Sequence, residues 1–442
     1  MTPDINPSPL SPLPSPLSDV FAELSWRGLI NQTTDDANLP RLLMEKPRTV
    51  YAGFDPTADS LHVGHLMAMM ILRRFQQAGH RPIAVVGGAT GMIGDPSGKS
   101  EERNLLSLDA LQANIAGMEP QLQRFLDFDC GPNSAVLVNN YEWLGRFGYL
   151  ELLRDIGKHV PVSVMLAKDS VRGRLERDDV GLSYTEFSYM LLQAYDFVHL
   201  YERFGCELQV GGSDQWGNIT AGIDLARRLS GVQLYGCTCP LLTRADGTKM
   251  GKTESGAIWL SAERTSPYQF HQYWINLDDA DVGRCLRFFT DLGQEEIDSL
   301  LAEHQSDPGR RAAQRRLAVE LTRLVHGEDG LRSAERATEV FFGAEIRELD
   351  DAQLAGIFAD VPSKELPRAK LDGGLSIIDA LVLSGLCKNK SEARRIITQG
   401  GAYVNNRRME GIETNLDQNH LAGKTTMILR AGKKNYALLR FV

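Results

Sequence analysis

Tyr51-Ala52-Gly53-Phe54-Asp55-Pro56-Thr57-Ala58-Asp59-Ser60-Leu61-His62-Val63-Gly64-His65 is the stretch on which the fold of this chain turns. Thr49 to Ala52 reads as a strand and the residues after it as a turn, followed by a helix start with Ser60 or Asp59 as cap. His62 and His65, three apart, then share one face of the first helical turn, and Gly64 between them lets a ligand approach the backbone. Free backbone N–H groups and the helix dipole make such a strand–turn–helix junction a place where anions bind. A metal-binding pair or two core histidines would give the same His-x-x-His spacing, although a metal asks for further ligands nearby and none is evident.

Working outward, the runs Ile83 to Val86, Ala135 to Val138 and Leu208 to Val210 alternate with helical stretches. That alternation predicts an α/β fold, a Rossmann-like parallel sheet with crossover helices over residues 19–260. From 261 to 365 the strand signals vanish, and Asp307 to His326 and Gly330 to Phe342 carry helix formers of mixed charge, so a helical domain is expected there. Residues 366–442 form a third, small α+β domain. It reads as a helix from Ser376 to Leu386, a turn, a helix from Ser391 to Gln399, then Gly400-Gly401 and a strand from Ala402 to Asn405. Asn389, with Glu392 three residues on, resembles a capping pair. Residues 1–18 hold six prolines among Ser and Leu and are expected to be a disordered tail.

At 442 residues, with 43% hydrophobic and 24% charged side chains, the chain can bury its core without covalent staples. Its six cysteines are scattered and show no zinc-ligand spacing, which points to reduced thiols. No Lys or Arg precedes Arg27 and no apolar run is long enough to span a membrane, so a cytoplasmic protein is expected. The net charge of -9 is unevenly spread. Leu366 to Val442 carries 13 Lys or Arg against 6 Asp or Glu, an excess of +7 on an otherwise acidic body. Such asymmetry suits a nucleic-acid-binding end, with a solvated basic surface as the plain alternative.

Three further segments sit past strands or between glycines. Gly87 to Ser100 ends in Gly98-Lys99-Ser100 like a P-loop, but the first glycine of that motif would fall at Ile93, so the spacing fails. The loop still suits a ligand, with Asp95 and Lys99 offering opposite charges to an amino acid, unless it is only a turn. Gln209 to Gln215 again places glycines and a carboxylate, Asp214, after a strand, where ribose hydroxyls could be held. Lys249-Met250-Gly251-Lys252-Thr253 puts two lysines three apart on a glycine-flanked loop, either a mobile clamp on a polyphosphate or a charged surface loop.

Taken jointly, these segments resemble the class I aminoacyl-tRNA synthetases, with His62-Val63-Gly64-His65 as the HIGH-type signature and Lys249 to Thr253 as the KMSKS-type loop. The likeness is closest to the bacterial tyrosyl branch and runs from about Phe21 to Val442, ending in a part similar to an S4 RNA-binding domain. It implies activation of tyrosine by ATP and transfer to tRNA(Tyr). Tyr51 and Asp196 match the residues that read the phenol; Asp95, Tyr189 and Gln193 match those that hold the amino group, with Gln215 beside them. ATP contacts are implied for Gly53, Asp55, Gly212, Asp214 and Lys252, and catalytic roles for Thr57, His62, His65, Lys249, Lys252 and Thr253. Ala52 brings no side-chain hydrogen bond to ribose, and Gly251 stands where the signature has Ser.

The resemblance further implies Mg2+ carried by ATP with no dedicated protein metal site, and a homodimer joined through about Tyr141 to Val164. RNA binding would fall to Lys388, Lys390, Arg394, Arg395, Arg407 and Arg408. The tryptophanyl enzymes share the fold and both signatures; the phenol-reading pair and the S4-like end favour tyrosine over them. An RNA-binding protein with an inactive nucleotide fold is the alternative of a different class, and the intact signature lysines and histidines argue against it.

Overall fold

The computed structural model describes residues 17–97, 106–168, 171–173, 182–253, 256–341, 343–344, 346, 349–358, 361–432 and 435–442; the Pro/Ser-rich tail to residue 16, and Lys99, lie outside them. Six strands make the principal sheet: β1 (Gln32–Thr33), β2 (Thr49–Phe54), β3 (Arg81–Val86), β4 (Val136–Asn139), β5 (Cys206–Gly212) and β6 (Tyr235–Cys239), in the order β1-β6-β5-β2-β3-β4. Strands β2 to β6 are parallel, and the four expected strands fall within two residues of their predicted ends. The edge differs from expectation. β1 pairs antiparallel with β6; β1 is only two residues long and β6 has one β-branched residue in five, so neither stands out in the sequence.

Both faces of the central strands are covered, which is why they read as continuous apolar runs. Tyr51, Ile83 and Val85 join a core with Phe197, Ala194 and Ala221 from the helices Tyr184–Phe204 and Trp216–Ser230. The helix Leu66–Gln77 packs on β2, β3 and β5. From β2 the chain winds outward to β4, then returns to β5 on the other side, so the winding reverses between β2 and β5. Pairing of those two ends at Tyr51–Gln209, whereas β2 stays with β3 to Phe54–Val86. A crevice therefore opens at their carboxyl ends, where sheets of this kind bind ligands.

The helix start after β2 also differs. Val63–His65 is a single 3-10 turn, and its cap is His62, whose Nδ1 accepts the Gly64 N–H at 3.0 Å. Ser60 is buried instead, its hydroxyl accepting the Ser261 N–H at 3.1 Å.

The chain divides into two compact units: the described residues to Ser261 with Ile275–Val325, and Ala262–Trp274 with His326–Val442. The helical stretch 261–365 is shared between them. Its longest helix, Ala312–Phe341, breaks at Gly327, whose φ of 74° only glycine adopts readily. In the second unit a five-stranded sheet runs Arg407–Arg408, Ala402–Val404, Thr426–Ala431, Asn435–Phe441, Ser363–Leu366. The helices Ile377–Leu383 and Lys390–Thr398 join its core. Asn389 Oδ1 accepts the Glu392 N–H at 2.9 Å, and Glu392 accepts the Lys388 N–H at 2.8 Å, a return bond one residue before the cap.

Candidate active site

A cavity of about 430 Å³ fills the crevice between β2 and β5. Its inner end is built from Tyr51 and Asp196, both buried. The Asp196 carboxylate accepts from Trp143 Nε1 at 2.7 Å and from Asn140 Nδ2 at 3.0 Å. Burial raises its pKa to about 7, while those two donors pull the other way. Tyr51 Oη is buried without a hydrogen-bond partner, and burial together with the Asp196 charge pushes its pKa well above the ordinary phenol value. Gln209 Oε1, in register with Tyr51 and also lining the cavity, is likewise buried and unpartnered. Buried polar atoms of this kind are costly unless a ligand completes them.

Midway, a polar set converges from four elements. Tyr189 Oη donates to Asp55 Oδ2 at 2.9 Å, and Thr90 Oγ1 donates to Asp55 Oδ1 at 2.9 Å. Gln215 Nε2 donates to Asp95 Oδ2 at 2.7 Å, and the Ser97 N–H holds Asp95 Oδ1 at 2.9 Å. Gln193 Nε2 donates to Gln215 Oε1 at 3.3 Å, and Asn218 Nδ2 bonds Gln193 Oε1 at 3.0 Å and Gln215 Oε1 at 3.1 Å. A carboxylate held by one carboxamide of such a network on the cavity wall has the charge to accept an ammonium group.

At the mouth the sequence motifs meet. His65 Nδ1 accepts the His62 N–H at 3.1 Å, the two rings lie 4.0 Å apart, and each Nδ1 is thus an acceptor. Neutral rings accepting at Nδ1 carry their proton on Nε2, the tautomer that presents an N–H donor. Gly53, Thr57, Gly212, Asp214 and Lys249 line the same cavity. Asp214 has its pKa raised, chiefly by desolvation and next by Asp95. Among the described residues no group of three His, Cys, Asp or Glu is set to hold a metal ion.

The cavity thus gathers the predicted tyrosine-site residues, the glycines, Asp55, Thr57, both histidines, Asp214 and Lys249. Lys252–Thr253 pair as a strand with Gly256–Ala257 just after them. The six basic residues stand in the second unit, exposed on the helix Lys390–Thr398, the turn before it and the strand Arg407–Arg408. Sequence reasoning missed Asn140, Trp143, Thr90 and Asn218. Asn140 was the legible one, because it directly follows β4 at the same sheet edge as the other site residues.

Two family models match the chain: tRNA synthetases class I (W and Y) over residues 44–343, and Tyrosine--tRNA ligase SYY-like C-terminal domain over residues 353–439. A tyrosine-tRNA ligase of Rhodopirellula baltica is 58% identical, covering 96% of both chains. That of Geobacillus stearothermophilus is 52% identical over 96% of this chain and the whole of its own. Among solved structures, a C-terminally truncated mitochondrial tyrosyl-tRNA synthetase of Aspergillus nidulans is similar with a TM-score of 0.65 and 34% identity, over 73% of this chain and 93% of its own. A tryptophanyl-tRNA synthetase of Plasmodium falciparum shares the fold alone, with a TM-score of 0.52 and 15% identity over 76% and 87% of the two chains.

Proposed function

The chain belongs to the tyrosine-tRNA ligases of the class I synthetases, enzymes that use ATP to join tyrosine to tRNA, and on that premise we propose how its own residues divide the work. Tyr51 and Asp196 read the substrate phenol: Asp196 accepts its O–H and Tyr51 donates to its oxygen. The observation that carries this is the buried, unpartnered Tyr51 Oη beside a buried carboxylate. Asp95, Tyr189, Gln193 and Gln215 hold the ammonium. Gly53, Asp55, Gly212 and Asp214 seat ATP.

The substrate carboxylate then attacks the α-phosphate in line and expels pyrophosphate. It is already ionised at neutral pH, so no general base is needed, and rate comes from positioning and from donors that meet developing charge. Thr57, His62, His65, Lys249, Lys252 and Thr253 are those donors. Mg2+ would come with ATP and neutralise its phosphates. The exposed basic residues Lys388, Lys390, Arg394, Arg395, Arg407 and Arg408 take tRNA(Tyr). A homodimer is supported by large apolar side chains left exposed between Tyr141 and Val164, with Leu150 at 78% and Tyr149 at 62%. A cytoplasmic location belongs to the same proposal, since ATP and uncharged tRNA are both present there.

Pyrophosphate exchange with each amino acid tests the reading. Exchange with tyrosine alone is the expected result, and exchange that favours tryptophan or phenylalanine would sink it.

A further inference from the structure

The helix Leu108–Leu122 carries no residue of either signature, yet one face of it holds the segment that does. Asn114, Gly117 and Gln121 recur at three and four residues and so share that face. Asn114 Nδ2 donates to the Pro56 carbonyl at 2.9 Å. Gly117 lies against the Asp59 carbonyl so closely that a Cβ would sit 2.0 Å from its oxygen. Gln121 Oε1 accepts the Leu61 N–H at 2.9 Å, and its Nε2, donating to the Gly117 carbonyl at 2.9 Å, fixes the carboxamide from behind. The segment held in this way bears Thr57 and ends at His62.

Its other edge carries the lysine loop. The Leu61 carbonyl accepts the Leu260 N–H at 2.9 Å, the Val63 N–H donates to the Ile258 carbonyl at 3.0 Å, and the Ile258 N–H donates to the Gly251 carbonyl at 2.9 Å. His62 and Trp259 form an antiparallel bridge between them. Leu61 is fully buried, its N–H held by Gln121 and its carbonyl by Leu260 in the segment that returns from the lysine loop. A buried N–H deprived of its acceptor is costly enough to move the backbone that bears it.

We propose that Gln121 is a positioning residue for adenylate formation, setting the Leu61 backbone and through it the placement of His62 against the Lys249 loop. This rests on the reading that His62 and Lys249 act on the ATP phosphates. Gln121 does not line the cavity, so it acts through the backbone and not on substrate.

The test is single-turnover adenylate formation in the full-length protein at saturating tyrosine and ATP. Gln121→Met keeps the length and loses the acceptor; Gln121→Glu keeps an acceptor for the Leu61 N–H. Gln121→Met should slow the step about tenfold or more, the loss of about 1.4 kcal/mol of barrier lowering. Tyrosine affinity, set at Tyr51 and Asp196, should hold, and Gln121→Glu should recover part of the rate. His62→Ala and Lys249→Ala are measured alongside. If those two slow the step and Gln121→Met does not, the positioning role falls while the phosphate reading stands. If neither of the two slows it, the phosphate reading itself falls. A parallel loss of tyrosine affinity in Gln121→Met, or no recovery in Gln121→Glu, also overturns the proposal, since the effect is then general damage.

Discussion

Asn140 Nδ2 lies 3.0 Å from Asp196 Oδ2, and this bond ties the end of β4 to the helix Tyr184–Phe204 that carries the buried Asp196 carboxylate. The same amide donates to Thr90 Oγ1 at 3.0 Å, and Asn140 Oδ1 accepts the Ala89 N–H at 2.8 Å. One buried side chain thus joins three elements around the inner end of the cavity. Asn140→Ala should weaken tyrosine binding by roughly 1.5–3 kcal/mol, the range for a hydrogen bond to a charged partner. Equilibrium titration with tyrosine checks it; unchanged affinity would separate Asn140 from Asp196 function.

Removing the Tyr51 hydroxyl should narrow discrimination. A site built to pair a hydroxyl rejects the analogue that lacks it, an effect for which this enzyme family is the reference case. Tyr51→Phe should therefore lower the ratio of tyrosine to phenylalanine kcat/KM. An unaltered ratio counts against the assignment.

The Asp196 carboxyl titrates at about 7, above its ordinary value, because of burial. The folded chain accordingly binds this proton more tightly than the unfolded chain, so the group favours folding at acid pH and that contribution fades as pH rises through about 7. Tyrosine binding follows the opposite sign. On the proposed reading, in which the phenol donates to the ionised carboxylate, affinity should improve from pH 6 to pH 8. Titrations across that range decide it, and a flat profile argues that the ionised form is not the acceptor.

Gly251 has a φ of +83°, and a Cβ there would come within 2.9 Å of Val63 Cβ. A side chain strains the loop where it meets the His62 segment, at about 1–2 kcal/mol for the left-handed conformation alone. Gly251→Ala should slow adenylate formation while tyrosine affinity is retained. Retention of the full rate would mean that this loop backbone is not the reacting one.

Arg394 and Arg395 are exposed on the helix Lys390–Thr398. Replacing both by Ala should flatten the dependence of log tRNA affinity on log salt by about one or more and leave tyrosine-dependent pyrophosphate exchange intact. An unchanged slope would place the RNA elsewhere. Point substitutions are the right instrument, because a cut before Leu366 would strip Ser363–Leu366 of its partner strand Asn435–Phe441.

What the sequence determined by itself was what local pattern encodes. Short apolar, β-branched runs announced β2 to β5, glycines and charges past their ends announced the motifs, and Asn389 with Glu392 announced a helix start. The weakly apolar β1 and β6 carried no such signal, since a two-residue antiparallel edge exists only because β6 is there to pair with. The cap at His62 was likewise hidden: Ser60 has the better capping chemistry, but tertiary packing buries it against Ser261. Long-range partners were out of reach for the same reason. Asn140 and Asp196 are 56 residues apart, and Leu61 and Gln121 are 60 apart. Only the three-dimensional closure of the sheet and its crossover helices brings such pairs within hydrogen-bonding distance, and no periodicity along the chain records which ones will meet.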